Sequence, residues 1–294
     1  MLELDGLTRR YGDRLALDRL SFTVHPGQLL GFVGPNGAGK TTTMRIVLGV
    51  LAADAGSVRF EGRDLDAATR ARFGYMPEER GLYPTMRVGD QLAYLAELHG
   101  IPRAEARTKA ERWMETVGVA DRADSRVEEL SLGNQQRVQL AAALVHDPVA
   151  LILDEPFSGL DPVGVDVMAG VLQERAAAGV PVVFSSHQLE LVERLCDAVA
   201  IVKDGRLVAS GSVDELRARG GQGLWRVEVE GADGDGAWVD AVPGARRESG
   251  VLVRLDDGAD DQQLLDAARA AGRVRRFEPA EPSLTDLFRE AIAA

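Results

Sequence analysis

GPNGAGKT, Gly34 to Thr41, follows LSFTVHPGQLLGFVG, whose apolar residues flank a turn at Pro26 and Gly27 and predict two strands. After it, KTTTMRIVLGVL predicts a helix with Met44, Ile46, Val47 and Leu48 available for packing. Strand, glycine-rich turn, helix is the context that a phosphate-binding loop requires, and the eight residues fill its pattern completely. Gly34, Gly37 and Gly39 let the backbone wrap the β- and γ-phosphates of a nucleotide, with Pro35, Asn36 and Ala38 completing the loop. Lys40 supplies a positive charge, the Thr41 hydroxyl can ligate Mg²⁺, and Thr42 joins the candidate nucleotide-contacting set. Of 34 basic side chains only Lys40, Lys109 and Lys203 are lysines, so a lysine inside this loop is informative.

LILDEP, Leu151 to Pro156, supplies the other half of a nucleotide site. It ends an apolar run, VALILDEP, of the form taken by a strand buried in a parallel sheet. Asp154 at its end can hold Mg²⁺, and Glu155 is the candidate general base that polarises an attacking water. LSLGNQQRV, Leu130 to Val138, poses a puzzle. Ser131, Gly133 and Asn134 sit where a helix N-terminus would offer free N–H groups to an anion, so one chain carries two phosphate-holding devices.

Along the chain, GSVRFEG predicts a strand between glycine turns. From about Val88 to Pro148 the pattern is helical: VGDQLAYLAELHG places Leu92, Leu95 and Leu98 three apart and stops at Gly100, with Pro102 beyond. VPVVFSSH and DAVAIVKDG predict buried strands with a helix from about Gln188 to Cys196 between them, so the sheet is mostly parallel and the class is α/β. RARGGQG marks a composition shift, giving a linker at 217–223. The expected domains are 1–216, with its helical insertion at about 88–148, and 224–294. In the latter, LWRVEVEG, GVLVRLDD and RVRRFEP predict strands, and DDQQLLDAARAAG predicts a helix. EPSLTDLFREAIA predicts another, with Ser283 and Asp286 forming a capping box, giving a small α+β domain.

Composition narrows the function classes. A net charge of −12 argues against nucleic-acid binding through bulk charge, and no nucleic acid is expected as a partner. Cys196 is the only cysteine, which excludes an internal disulfide and a cysteine metal cluster. MLELDGLTRR lacks an apolar signal region, and no run of eighteen apolar residues exists. The expectation is a cytoplasmic chain that borrows any membrane span from a partner.

Taken in order, these motifs resemble the ATP-binding subunits of ABC transporters over about residues 1–216, a P-loop NTPase fold with a helical subdomain. GPNGAGKT stands at the Walker A loop, YMPEERG at the Q-loop, LSLGNQQ at the signature and LILDEP at Walker B. SGLD, Ser158 to Asp161, stands at the D-loop. The resemblance implies that Tyr11 stacks on adenine, that Asp161 helps position a neighbouring chain's site, and that His187 in FSSHQ contacts the γ-phosphate and orients water. His187 also follows an apolar strand, at the end where α/β sheets bind ligands. It further implies a head-to-tail pair in which the signature helix of one chain points at the γ-phosphate held by the other. Two devices per chain are then needed because two chains hold each ATP.

The implied partners are a second ATPase subunit, identical or not, and a transmembrane permease that places the chain at the inner face of the membrane. Glu79, Arg80, Leu82 and Tyr83 fall in a segment implied to line a groove for a short helix of that permease. Two positions depart from the common family pattern. Glu78 replaces the usual Q-loop glutamine as a candidate Mg²⁺ ligand, and Asn134 follows Gly133 where glutamine is usual. MPEERGLYPTM, LSLGNQQ and the C-terminal appendage resemble the sodium-efflux-like exporters of bacteria. A cytosolic ABC-type ATPase without a permease is the alternative reading; the long heptad arrays of its DNA-associated types are missing here.

Overall fold

The computed structural model describes residues 1–79, 81–231 and 237–293 of the 294-residue chain. They form two compact units, Met1–Ser212 and Val213–Ala294. The first opens with β1 (Leu2–Tyr11), β2 (Arg14–Val24), β3 (Leu29–Val33), α1 (Lys40–Val47), β4 (Ala55–Phe60), β5 (Arg63–Asp64), α2 (Ala67–Arg70) and β6 (Phe73–Met76). Three longer helices follow: α3 (Val88–Leu98), α4 (Arg103–Thr116) and α5 (Leu132–Leu144). The chain then alternates through β7 (Ala150–Leu153), α6 (Pro162–Ala177), β8 (Val182–Ser186), α7 (Leu189–Leu195) and β9 (Ala198–Lys203), and ends on β10 (Arg206–Ser212).

Six strands make the central sheet, in the order β10-β9-β3-β8-β7-β6, parallel except for the β9–β10 edge pair. Every residue of β3, β7 and β8 is buried, which is why β3, β7 and the first three residues of β8 carry no polar side chain. A second, antiparallel sheet has the order β2-β1-β4-β5. Leu4, Leu20 and Phe22 from it share one core with Phe32 and Ile152 of the central sheet and with Met44 and Val47 of α1. Burying a side chain such as Phe32 contributes roughly 1.5–3 kcal/mol, so this core fixes the loop between β3 and α1 from both sides.

The helical segment is where expected, but its buried face differs from the leucine spacing. In α3 the buried residues are Val88, Gln91, Leu92, Ala93 and Ala96, while Leu98 is exposed. Three-residue steps fall about 60° short of a full turn each time, so a leucine two steps on has rotated off the core face.

In the second unit α8 (Val213–Gly220) precedes β11 (Leu224–Glu230), α9 (Ala237–Asp240), β12 (Ala245–Ser249), β13 (Leu252–Leu255), α10 (Asp261–Ala271), β14 (Arg273–Pro279) and α11 (Leu284–Ala293). From β11 to β14 the order is βαββαβ, with an antiparallel sheet β12-β13-β11-β14, the split-βαβ arrangement. Val227, Val229, Val253, Leu255, Leu264 and Ala268 form its core. The glycine-rich segment 217–223, expected as a linker, is the end of α8 and a tight turn inside the second unit. A Cβ on Gly220 would meet Leu287 Cδ2 at 2.1 Å, and one on Gly223 would meet the Leu255 carbonyl at 2.2 Å. These glycines serve close packing. The capping box of α11 is formed: Ser283 Oγ accepts from the Asp286 N–H at 3.1 Å, and Asp286 Oδ2 accepts from the Ser283 N–H at 3.1 Å.

Candidate functional site

β3, β8, β7 and β6 are consecutive neighbours in the sheet and run the same way, so their C-terminal ends open on one edge. Gly34 follows β3, His187 follows β8, Asp154 follows β7, and Glu78 comes two residues after β6. Residues far apart in sequence therefore meet at the edge where open α/β sheets bind ligands.

The loop Gly34–Gly39 is built by glycine where no side chain fits. A Cβ at Gly34 would lie 2.3 Å from the Val202 carbonyl oxygen, and Gly39 turns the chain into α1 at φ 106. Lys40 is buried; its Nζ donates to the carbonyls of Gly34 at 2.6 Å and Pro35 at 3.3 Å. Burial holds the ammonium below the ordinary lysine value, and Glu155, Asp154 and Glu78 pull it back up. The loop thus brings a cation among three carboxylates.

At the end of β7, Asp154 is 1% exposed and accepts from Ser185 Oγ at 2.5 Å through Oδ1, while its Oδ2 is buried with no hydrogen-bond partner. Glu155 takes a left-handed backbone, φ 51, which costs a non-glycine residue of order 1–3 kcal/mol. Its N–H donates to Ser185 Oγ at 2.8 Å, and its Oε2 lies 2.9 Å from His187 Nδ1.

A cavity of about 450 Å³ is lined by Tyr11, Asn36, Gly37, Gly39, Lys40, Thr41 and Thr42 on one side and by Glu78, Asp154 and Glu155 on the other. Gly34 and Ala38 are buried behind it, and Pro35 sits on the exposed outer turn. Tyr11 is 47% exposed, with the Arg9 guanidinium 5.1 Å from its ring centroid. Arg14 and Ala16 line the same cavity without having been marked by any motif; Arg14 pairs with Tyr11 across the hairpin and donates to the Gly37 carbonyl at 3.2 Å.

Ser131, Gly133, Asn134 and Asp161 do not join this cavity. With Leu132, Arg137 and Gly159 they line a separate one of about 300 Å³. Ser131 caps α5, its Oγ accepting from the Asn134 N–H at 3.4 Å, and Asp161 caps α6, accepting from the Gly164 N–H at 2.8 Å. Behind this second cluster, buried glutamines of α5 reach the first site. Gln136 Nε2 donates to the carbonyls of Glu155 at 3.2 Å and Pro156 at 2.9 Å, and Gln139 Nε2 donates to that of Pro77 at 2.6 Å. In the Q-loop segment Leu82 is buried, Tyr83 is half exposed and meets Tyr94 edge-on at 6.4 Å, and Glu79 is exposed. Arg80 lies outside the described residues.

These donors fit Mg²⁺. Asp154, Thr41 and Glu78 line one cavity, Asp154 keeps a buried oxygen without a hydrogen-bond partner, and Mg²⁺ favours one or two carboxylates together with substrate phosphates over an all-protein cage.

Comparison with known proteins agrees with this geometry. Residues 17–158 match the ABC transporter family, and residues 211–292 match the C-terminal domain of the ATP-binding protein DrrA1-3-like family. The chain is 39% identical to the uncharacterized ABC transporter ATP-binding protein YhaQ of Bacillus subtilis, over 100% of this chain and 99% of that one. It is 38% identical to Nod factor export ATP-binding protein I of Paraburkholderia xenovorans, over 74% of this chain and 72% of that one. Among solved structures, an ATP binding subunit of an ABC transporter, 30% identical, superposes with a TM-score of 0.70 over 75% of this chain and 93% of its own. The dimeric structure of a bacterial ABC transporter cassette, 22% identical, has the same fold, with a TM-score of 0.67 over 72% and 98%. A whole-length match of this kind, on a sheet edge that gathers a phosphate loop and two acidic residues, places the chain in the ABC transporter ATP-binding family, as an ATPase with a DrrA-like C-terminal domain.

Proposed function

We propose that this ATPase drives a bacterial exporter, closing head to tail with a second ATPase subunit around ATP and acting on a separate transmembrane permease. The observation that carries the reading is the separation of two half-sites within one chain. The nucleotide cavity is lined without Ser131 or Gly133, and the signature helix opens on a cavity of its own. A second subunit turned head to tail supplies what each half lacks. Export rests on the relative named for Nod factor export and on the sodium-efflux-like motifs around Glu78 and Asn134. Among the described residues no helix is long and apolar enough to cross a membrane. In this proposal the permease is a separate chain and this one sits peripherally at the inner face. The ATPase domain is taken as the unit Met1–Ser212 and the accessory domain as the unit Val213–Ala294, a boundary a few residues earlier than the 1–216 and 224–294 expected from the sequence.

In this reading Gly34, Gly37, Gly39 and Lys40 hold the phosphates, Tyr11 stacks on the adenine, and Asp154, Thr41 and Glu78 hold Mg²⁺. The metal supplies charge neutralisation on the phosphate oxygens. Glu155 takes the proton of the attacking water, His187 holds that carboxylate in place, and Ser131 and Gly133 of the facing subunit bind the γ-phosphate.

Glu155→Gln tests it. The variant should bind ATP, lose hydrolysis, and run as a dimer on gel filtration with ATP and Mg²⁺. Hydrolysis at the wild-type rate overturns the base, and a monomer overturns the closure. For the permease, the wild-type chain should capture a multi-span membrane protein from native membranes, and Tyr83→Ala should lose it while keeping ATPase activity. Capture of no such protein favours a cytosolic ABC ATPase.

A further inference from the structure

We infer that Ser185 is a positioning residue of the hydrolytic site, its hydroxyl fixing both the free oxygen of Asp154 and the backbone bend that carries Glu155 to His187. This rests on the roles proposed for Asp154 and Glu155. Ser185 is completely buried in β8, a strand whose preceding residues Val182, Val183 and Phe184 are apolar. A hydroxyl in such surroundings must be paired, and this one is paired twice. Leu153 stands opposite Phe184 in the β7–β8 register, so Asp154 and Ser185 come level one residue later.

A serine hydroxyl has one proton to give and lone pairs to receive. The proton goes to Asp154 Oδ1 at 2.5 Å, a charge-assisted bond that sets the carboxylate plane. Oδ2, buried and otherwise unpartnered, is left as the oxygen available to a metal. A lone pair receives the Glu155 N–H at 2.8 Å, just where that residue takes its left-handed φ of 51. Gln136 holds the Glu155 carbonyl from the other side. With both backbone groups tied, Glu155 Oε2 reaches His187 Nδ1. The adjacent serine does a different job: Ser186 Oγ accepts from the Gln188 N–H at 3.0 Å and shapes the turn around His187. Of these two serines, Ser185 is the one that spans both carboxylate residues.

The test compares Ser185→Ala, Ser185→Cys and Glu155→Gln with wild type. Loss of an outer partner typically costs about 10- to 100-fold in metal affinity or activity. Ser185→Ala should therefore lower kcat per folded molecule by that factor, with the KM for ATP near wild type because the phosphate loop is untouched. Mn²⁺ titrated into the ADP-bound protein and read by EPR should bind correspondingly more weakly. Added to Glu155→Gln, Ser185→Ala should lower the residual rate little further. Should Ser185→Ala not fold, Ser185→Cys, close in size and a weak donor, carries the test with the same signs. Wild-type kcat and Mn²⁺ affinity in the serine variants, or a rate loss wholly accounted for by lost folded protein, overturns the inference. Wild-type hydrolysis by Glu155→Gln overturns instead the role of Glu155 beneath it.

Discussion

His187 Nδ1 stands 2.9 Å from Glu155 Oε2, joining the ends of β8 and β7 across 32 positions of sequence. The two side chains differ sharply in exposure, 61% for the histidine and 12% for the glutamate. The carboxylate is thus held from outside by a ring that stays largely accessible. His187→Ala should release it and lower kcat by about 10²-fold or more while ATP still binds. Steady-state kinetics beside a nucleotide-binding titration checks this; unchanged kcat would show that the contact has no part in hydrolysis.

The separation of Ser131 from the Lys40 cavity makes a prediction about mixed dimers. One subunit with Ser131→Arg and another with Lys40→Ala can place both defects in one composite site and leave the other intact. Mixing the two inactive proteins should restore part of the ATPase activity. No rescue, with mixed dimers shown by pull-down of two tags, would mean that Ser131 acts in its own chain.

Much of this candidate site is legible in the sequence. Gly34 to Thr41, Asp154, Glu155 and His187 lie at strand ends, and strand ends are where apolar runs stop in the sequence. Ser185, Arg14, Gln136 and Gln139 were not legible. Their bonds depend on strand register and helix rotation, which no local pattern states: Ser185 meets Asp154 only because β7 and β8 are in that register. The same limit applies at 217–223, where a glycine-rich composition shift suggests a linker but the glycines permit close approach to Leu287 and Leu255. The leucine spacing of α3 marks the helix but not its buried face, because helix rotation, not apolar type alone, selects which residues face the core.

His146 gives the first unit a pH dependence. Burial, then the neighbouring His99 ring stacked at 3.7 Å, pushes its pKa from 6.5 down to about 4, opposed by the Phe73 carbonyl and Asp147, with Lys109 acting in the same sense as His99. The unfolded chain therefore takes up a proton near pH 6.5 that the folded one refuses until about pH 4. The contribution is fully present above the unfolded pKa and is lost as the pH falls through that window. The loss is on the order of 1–2 kcal/mol after allowance for solvent screening. Urea unfolding at about pH 7 and about pH 5 should show a larger drop for wild type than for His146→Gln. Equal drops would place the proton uptake elsewhere.

Glu78 lines the cavity with Asp154 and Glu155, at the position where the family usually has glutamine, and that substitution should be visible in the metal dependence. Glutamine offers a carbonyl oxygen to Mg²⁺ and an amide proton to water or protein; a carboxylate keeps the oxygen and loses the donor. It also adds a negative charge beside two others and beside incoming phosphates. With Mg²⁺ bound that charge is a ligand, and without it the charge is a source of repulsion. The buried Lys40 ammonium balances part of this, as its interactions with all three carboxylates show. ATP affinity should therefore rise more steeply with Mg²⁺ in wild type than in Glu78→Gln, with the variant binding metal-free ATP the better of the two. Titrating Mg²⁺ against nucleotide affinity and hydrolysis in both proteins decides it. Identical curves would mean that Glu78 turns from the metal in the closed dimer and serves the loop or the permease contact instead.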